Sequence, residues 1–171
     1  PSLRLLARSS IIQDMDKLTT AKRVALVAAL VEGMSISAVV RMTGVSKPTI
    51  LKLLADLGKA CEAYQDAHLT GLTSQRVQCD EIWSFCGAKA KNVPNMKKPV
   101  DGAGDVWTWT ALDADSKLIV QFHVGDRSGE TAKVFVDDLK SRLSTRVQLT
   151  SDGHKAYLAA VEQAFGDDVD Y

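Results

Sequence analysis

From Val77 to Phe165 the apolar pattern changes period in a fixed order, and that order restricts the folds open to the chain. Val77-Gln78-Cys79-Asp80-Glu81-Ile82-Trp83-Ser84-Phe85 reads as a first strand. Asp105-Val106-Trp107-Thr108-Trp109-Thr110-Ala111-Leu112 reads as a second, rich in aromatic and β-branched residues. Asp113 and Asp115 flank a turn. Leu118, Val120, Phe122 and Val124 then recur at period two, the spacing of a strand with one buried face, so the pair is expected to form a hairpin. Gly125 ends that strand and Ser128 caps a helix on which Ala132, Phe135, Val136, Leu139 and Leu143 recur at helical spacing. A strand over Val147 to Ser151 follows, then an alanine-rich helix from His154 to Phe165 closed by Gly166.

Three strands, a helix, a strand and a helix make a small α/β unit. The crossover after the third strand is long enough to bring the fourth parallel to the first. With those two strands adjacent, Asp80 and Asp152 face one crevice near the carboxyl ends of parallel strands, where open α/β sheets bind ligands. A carboxylate inside an apolar run is costly unless a cation, a proton or hydrogen bonds compensate it, and two such costs point to one shared site. Glu81 is expected on the opposite face, because adjacent strand residues alternate, which favours Asp80. Paired carboxylate oxygens suit magnesium or manganese. In a two-metal site such ions activate a water or sugar hydroxyl and stabilise the leaving oxygen of a phosphodiester; Asp80 would bridge both ions and Asp152 hold one. The plainer alternative is that each aspartate caps a turn.

The amino-terminal part has its own pattern. Thr20 to Glu32 is a helical stretch, Ser35 to Met42 a short second helix, Thr43-Gly44-Val45 the turn, and Ser46 the cap of a third helix running toward Tyr64. Pro48 is tolerated in the first turn, where its missing N–H has no intrahelical partner. This is a helix-turn-helix pattern. Lys47, Thr49, Ile50 and Lys52 fall near the start of the recognition helix, where side chains can reach bases or phosphates of a major groove. A three-helix packing module with no nucleic-acid role fits the same pattern. Residues 1–70 carry nine Lys and Arg against six Asp and Glu, while the whole chain is neutral, so binding has to come from local patches. Gln65 to Ser74 is the expected boundary, giving a helical module over 1–70 and a core over 71–171.

Taken together, Asp80-Glu81-Ile82-Trp83-Ser84-Phe85, Asp105-Val106-Trp107-Thr108-Trp109, Val124-Gly125-Asp126-Arg127-Ser128 and Thr150-Ser151-Asp152-Gly153-His154 resemble the DDE transposases of the insertion-sequence-one family. The resemblance covers roughly Gln75 to Tyr171 closely and the preceding segment more loosely. It implies a ribonuclease-H-like core that uses divalent metal to nick element ends and join their 3′ hydroxyls to target DNA. Asp80 and Asp152 match the first two acidic residues of the family's motif. Double-stranded DNA is the implied partner, and self-association a family-level expectation. The family's third acidic residue lies on a later helix, beyond another strand. Glu162, the only glutamate after Asp152, lies on the helix directly following it and is expected on the surface. The expectation is therefore an incomplete and inactive core, cut at both ends, with little strand transfer. The family also tends to carry a zinc-binding element ahead of its helix-turn-helix, and no such cysteine cluster is present.

Other residues have alternative uses. Lys89, Lys91, Lys97 and Lys98, in the Gly87 to Gly104 loop with Pro94 and Pro99, either contact phosphates beside the crevice or decorate a solvated hairpin loop. His154 is open to a DNA contact, to orienting the loop, or to capping a helix. Arg127 either pairs locally with Asp126 or Glu130 or steadies the crevice, and a structural role is favoured. Trp107 and Trp109 share a strand face and are expected to fill the core rather than stack on bases. Cys61, Cys79 and Cys86 lack zinc-type spacing and read as free thiols in a reducing cytoplasm. With 46% hydrophobic and 25% charged residues, the chain supports one ordinary core plus a small module. No run is long enough for a membrane span, and residues 1–10 are too short and too charged for a secretory signal. The rival reading is a non-catalytic helix-turn-helix regulator that binds DNA, and a third is a simple nuclease.

Overall fold

The computed structural model describes residues 18–98 and 100–171. Residues 1–10, read above as no secretory signal, lie outside the described residues, as does Pro99. The chain divides into two compact units, Pro1–Ala63 and Tyr64–Tyr171. The division falls ahead of the 70/71 boundary read from the sequence, within the third helix, which runs Lys47–His68.

The first unit holds helix α1 (Thr20–Val31), α2 (Ile36–Thr43) and most of α3 (Lys47–His68), whose last turns belong to the second. Thr19 caps α1, its hydroxyl accepting the Lys22 N–H at 3.3 Å, and Ser35 caps α2 by accepting the Ala38 N–H at 3.2 Å. Gly44 stops α2 in the left-handed region, at φ +69°, and returns its N–H to the Val40 carbonyl. Thr43 braces this turn: its hydroxyl donates to the Val39 carbonyl at 2.7 Å and accepts the Val45 N–H at 3.3 Å. Leu26, Val39, Val45 and Ile50 are buried together, with Leu30, Ile36, Leu53 and Leu54 packed around them.

The second unit is a mixed five-stranded sheet, in keeping with the α/β expectation. Its strands are β1 (Arg76–Cys86), β2 (Gly104–Asp113), β3 (Ile119–Gly125), β4 (Val147–Thr150) and β5 (Val169–Asp170). They lie in the order β3-β2-β1-β4-β5. The β1–β2 and β2–β3 pairs are antiparallel, and β1–β4 and β4–β5 are parallel. Helix α4 (Gly129–Arg142) carries the chain from β3 to β4, and α5 (Ala156–Phe165) from β4 to β5. Both pack on one face of the sheet. Val77, Cys79, Trp109, Ala111 and Val120 of the strands meet Phe135, Val136 and Leu139 of α4 and Tyr157, Val161 and Phe165 of α5. The short β5 was not anticipated from the pattern, and α5 begins two residues later than expected.

One strand departs from its expected alternation. Ala111 pairs with Gln121 but Leu112 with Ile119, so Val120 is the extra residue of a bulge. Val120 and Gln121 are both buried, and Val124, expected inside, is 55% exposed. The loop between β1 and β2 is also more structured than a solvated hairpin loop. It holds a 3-10 helix, Ala90–Asn95, whose first N–H is accepted by Asp105 at 2.9 Å. Among the described residues no helix is long and apolar enough to cross a membrane.

Candidate metal and nucleic-acid site

The parallel register of β1 and β4 pairs Val77 with Leu149 and Gln78 with Thr150. Two residues further along each chain, Asp80 and Asp152 reach the same level, Asp152 just beyond the carboxyl end of β4. Asp80 sits opposite Thr110, is exposed, and turns one carboxylate oxygen back to the Glu81 N–H at 2.8 Å. It lies on the sheet face away from α4 and α5, because alternation gives the covered face to Val77, Cys79 and Glu81. Asp152 is also exposed. Its Oδ1 accepts the His154 N–H at 3.0 Å across Gly153, whose φ of +84° closes the turn.

Glu81 occupies the opposite face, as alternation requires, and there it is a structural centre. Its side chain is 1% exposed, and its Oε2 accepts from both Nε and Nη2 of Arg127, at 3.0 and 2.9 Å. Arg127 Nη2 also lies 3.5 Å from Asp152 Oδ2, and the guanidinium stacks 4.7 Å above the Trp107 ring. Arg127 therefore links Glu81 to Asp152 and does not pair with Asp126 or Glu130. The Asp126 carboxylate is taken instead by the Ser128 hydroxyl and N–H and by the Thr131 hydroxyl, which lower its pKa. Local sequence could not reveal the Glu81–Arg127 link, since 46 positions separate its partners.

Beneath this link lies a polar layer inside the core. Glu81 Oε1, the Tyr157 hydroxyl and His154 Nε2 are all buried without a hydrogen-bond partner among the described residues. Burial, with Cys79, Glu81 and Asp152 adding, pushes the Tyr157 phenol up. Burial and then the Glu81 charge push the Cys79 thiol up to about 12, so it stays protonated and is no nucleophile. The His154 ring turns inward, 5.7 Å from Trp109 and 6.2 Å from Tyr157, which suits it to orienting the Asp152 turn rather than to touching DNA. Trp109 fills the core as expected and donates its indole N–H to the Asp126 carbonyl at 2.9 Å. Glu162 is exposed on α5.

The donor set can be weighed against magnesium or manganese. Exposed carboxylates offer hard oxygens to an ion that keeps several waters, as magnesium usually does, but Asp80 opens on the uncovered sheet face while Asp152 lies against Arg127, which Glu81 holds on the other. Among the described residues no three His, Cys, Asp or Glu side chains gather into a metal-holding group, so an all-protein cage is not formed. Each carboxylate by itself suits an ion that completes its shell with water or substrate; the acidic side chain joined to Asp152 through Arg127 is Glu81, on the face opposite Asp80.

The basic candidates lie in separate units. Lys47, Thr49 and Lys52 are exposed on the first turns of α3. The Thr49 hydroxyl lies 2.8 Å from that of Ser46, and Lys52 pairs with Asp56 at 2.7 Å. Ile50, expected to reach toward bases, is fully buried in the core of the first unit, because the adjoining α1 and α2 claim that face. In the second unit Lys89 lies 4.7 Å above the Trp83 ring, Lys91 sits in the 3-10 helix, and Lys97 and Lys98 are exposed beyond it. Fold and site together define an α/β protein with Asp152 just past the carboxyl end of β4 and Asp80 within the adjacent parallel strand β1. No family model and no curated protein matches the chain.

Proposed function

We propose that the chain comprises a DNA-binding helical module and a catalytic-core region of a DDE transposase akin to the insertion-sequence-one family, acting in the cytoplasm on double-stranded element ends and target DNA. The observation that carries this reading is the register of the adjacent parallel strands β1 and β4, which sets Asp80, within β1, level with Asp152, just past the end of β4. The mixed sheet of order β3-β2-β1-β4-β5 supports a ribonuclease-H-like core. Asp80 and Asp152 would hold magnesium or manganese, which when bound supplies Lewis acidity and an activated hydroxyl for phosphodiester cleavage and transfer. Arg127, fixed by Glu81, steadies the Asp152 carboxylate. The Gly44 turn between α2 and α3, with Lys47, Thr49 and Lys52 outward on α3, supports a helix-turn-helix that grips duplex DNA. Bringing two ends together calls for more than one protomer, so self-association belongs to the same reading.

The test is magnesium- or manganese-dependent cleavage and joining of labelled element-end DNA by this chain and by a version extended through the downstream reading frame. The expected result is cleavage and joining by the extended form, abolished by Asp80→Ala and by Asp152→Ala. Cleavage without joining would make the protein a simple nuclease. Duplex binding that needs no divalent ion, ignores Asp80→Ala and is accompanied by no cleavage would make it a regulator instead.

A further inference from the structure

Beyond the part of the sheet that α4 and α5 cover, β1 runs on with its side chains open. Val77 and Cys79 are buried, but Trp83 and Phe85, on the same face by alternation, are 39% and 49% exposed. Their rings lie 5.8 Å apart. Trp83 pairs across strands with Trp107, which puts the two indoles side by side on this face. Each indole carries a cation: Lys89 lies 4.7 Å above Trp83 and Arg127 4.7 Å above Trp107. The strip thus runs Phe85, Trp83 with Lys89, Trp107 with Arg127, and ends at Asp152.

Charge says what such a strip suits. The adjoining loop, residues 87–104, carries Lys89, Lys91, Lys97 and Lys98 against Asp101 alone. Arg127 is anchored along one edge by Glu81 through Nε and Nη2, while Nη1 makes no hydrogen bond among the described residues and the side chain is 40% exposed. An apolar protein partner would bury Lys89 without counter-charge, which is costly. A nucleic-acid strand offers phosphates to the cations and base faces to the rings. A duplex hides its base faces, so unpaired nucleotides are required.

We propose that Phe85, Trp83, Lys89, Trp107 and Arg127 form a binding strip for an unpaired nucleic-acid strand, with bases on Trp83 and Phe85 and a phosphate on Arg127 beside Asp152. The inference rests on the nucleic-acid reading of that site and deepens it. The strip would take a frayed strand leading to Asp152. Glu81, which no ligand reaches, is a positioning residue that aims Arg127.

The experiment is fluorescence anisotropy of labelled oligothymidylate with the 171-residue chain, without divalent ion and over a range of salt. The doubly substituted Trp83→Ala, Phe85→Ala chain is expected to bind about tenfold or more weakly, since each lost stacking contact is substantial. Trp83→Phe, which keeps a ring, should recover most of that loss, and Lys89→Ala should reduce the salt slope by about 0.7. Circular dichroism shows whether each variant is folded, and Phe85→Ala alone, at a half-exposed position, serves if the double variant is not. Equal affinity of the folded variants and the unaltered chain overturns the strip. So does an unaltered chain that ignores oligothymidylate but forms dimers that Trp83→Ala, Phe85→Ala breaks, which would make a second copy the occupant. Metal-dependent cleavage with strip variants that bind normally would sink the strip alone. Stacking on the strip with no cleavage by the extended chain would sink the transposase reading alone.

Discussion

Asp113 is a carboxylate only 9% exposed whose charge is met by hydrogen bonds alone. The Ser74 hydroxyl donates to it at 2.7 Å, and the N–H groups of Asp115 and Ser116 at 2.8 and 3.1 Å. Ser74 above all, then the Ser116 N–H, holds its pKa below the usual carboxylate value. A depressed folded value means that the unfolded chain takes up the proton first as pH falls. The stabilisation is complete above the unfolded value of about 4 and fades as pH drops through the lower folded value. Asp113→Ala is expected to cost about 2 kcal/mol at neutral pH in urea unfolding, with the deficit shrinking below about pH 4. A deficit constant from pH 7 to pH 2.5 would refute the charged-acceptor account. The sequence marks Asp113 as a turn residue through its neighbours, but Ser74 lies 39 positions away and leaves no local trace. Glu81 is the same kind of case. Alternation assigns its face correctly, yet which face the helices cover, and that Arg127 waits there, depends on tertiary packing.

At the scale of elements, legibility follows how much a segment's partner matters. The α4 positions Ala132, Phe135, Val136 and Leu139 are fully buried, and Leu143, which caps the helix, nearly so, because the period of a helix defines a face whatever it meets. In β3 the bulge at Val120 reverses the faces downstream, and a bulge depends on the partner strand. The join of β3 to α4 matters most for the candidate site, since Arg127 leaves the chain there. A Cβ on Gly125 would lie 2.9 Å from Thr131 Cγ2 and 3.2 Å from its Oγ1. Thr131 cannot swing aside freely, because its hydroxyl is bound to Asp126 and its N–H to Ser128. Gly125→Ala is therefore expected to cost about 1–3 kcal/mol of stability. Thr131→Ser removes the clashing methyl and keeps the hydroxyl. The double variant Gly125→Ala, Thr131→Ser should be more stable than Gly125→Ala alone, and additive losses in a double-mutant cycle would show that the clash is not the cause.

For the whole molecule, two separate cores form among the described residues. One gathers Leu26, Val39, Val45 and Ile50; the other joins the sheet to α4 and α5, and they share no residue. Helix α3 contributes to both units: Ile50 is buried in the first core, while in its last turns Gln65 donates to the Ile119 carbonyl at 3.3 Å and Asp66 pairs with Arg142 at 2.6 Å. A core of four fully committed side chains has little stability to lose, since burial per residue falls as a folded unit shrinks. Ile50→Ala should remove about 2–4 kcal/mol, enough to unfold the first unit, and Phe135→Ala about 3–5 kcal/mol from the second. Hydrogen exchange resolves the two. After Ile50→Ala, amides of α1, α2 and the start of α3 should lose protection while those of β1, β2 and α4 keep it; after Phe135→Ala the pattern should reverse. Loss of protection across both units from either substitution would mean that the two cores unfold as one cooperative body. A DNA-gripping module could then not be separated from the acidic site that it is proposed to serve.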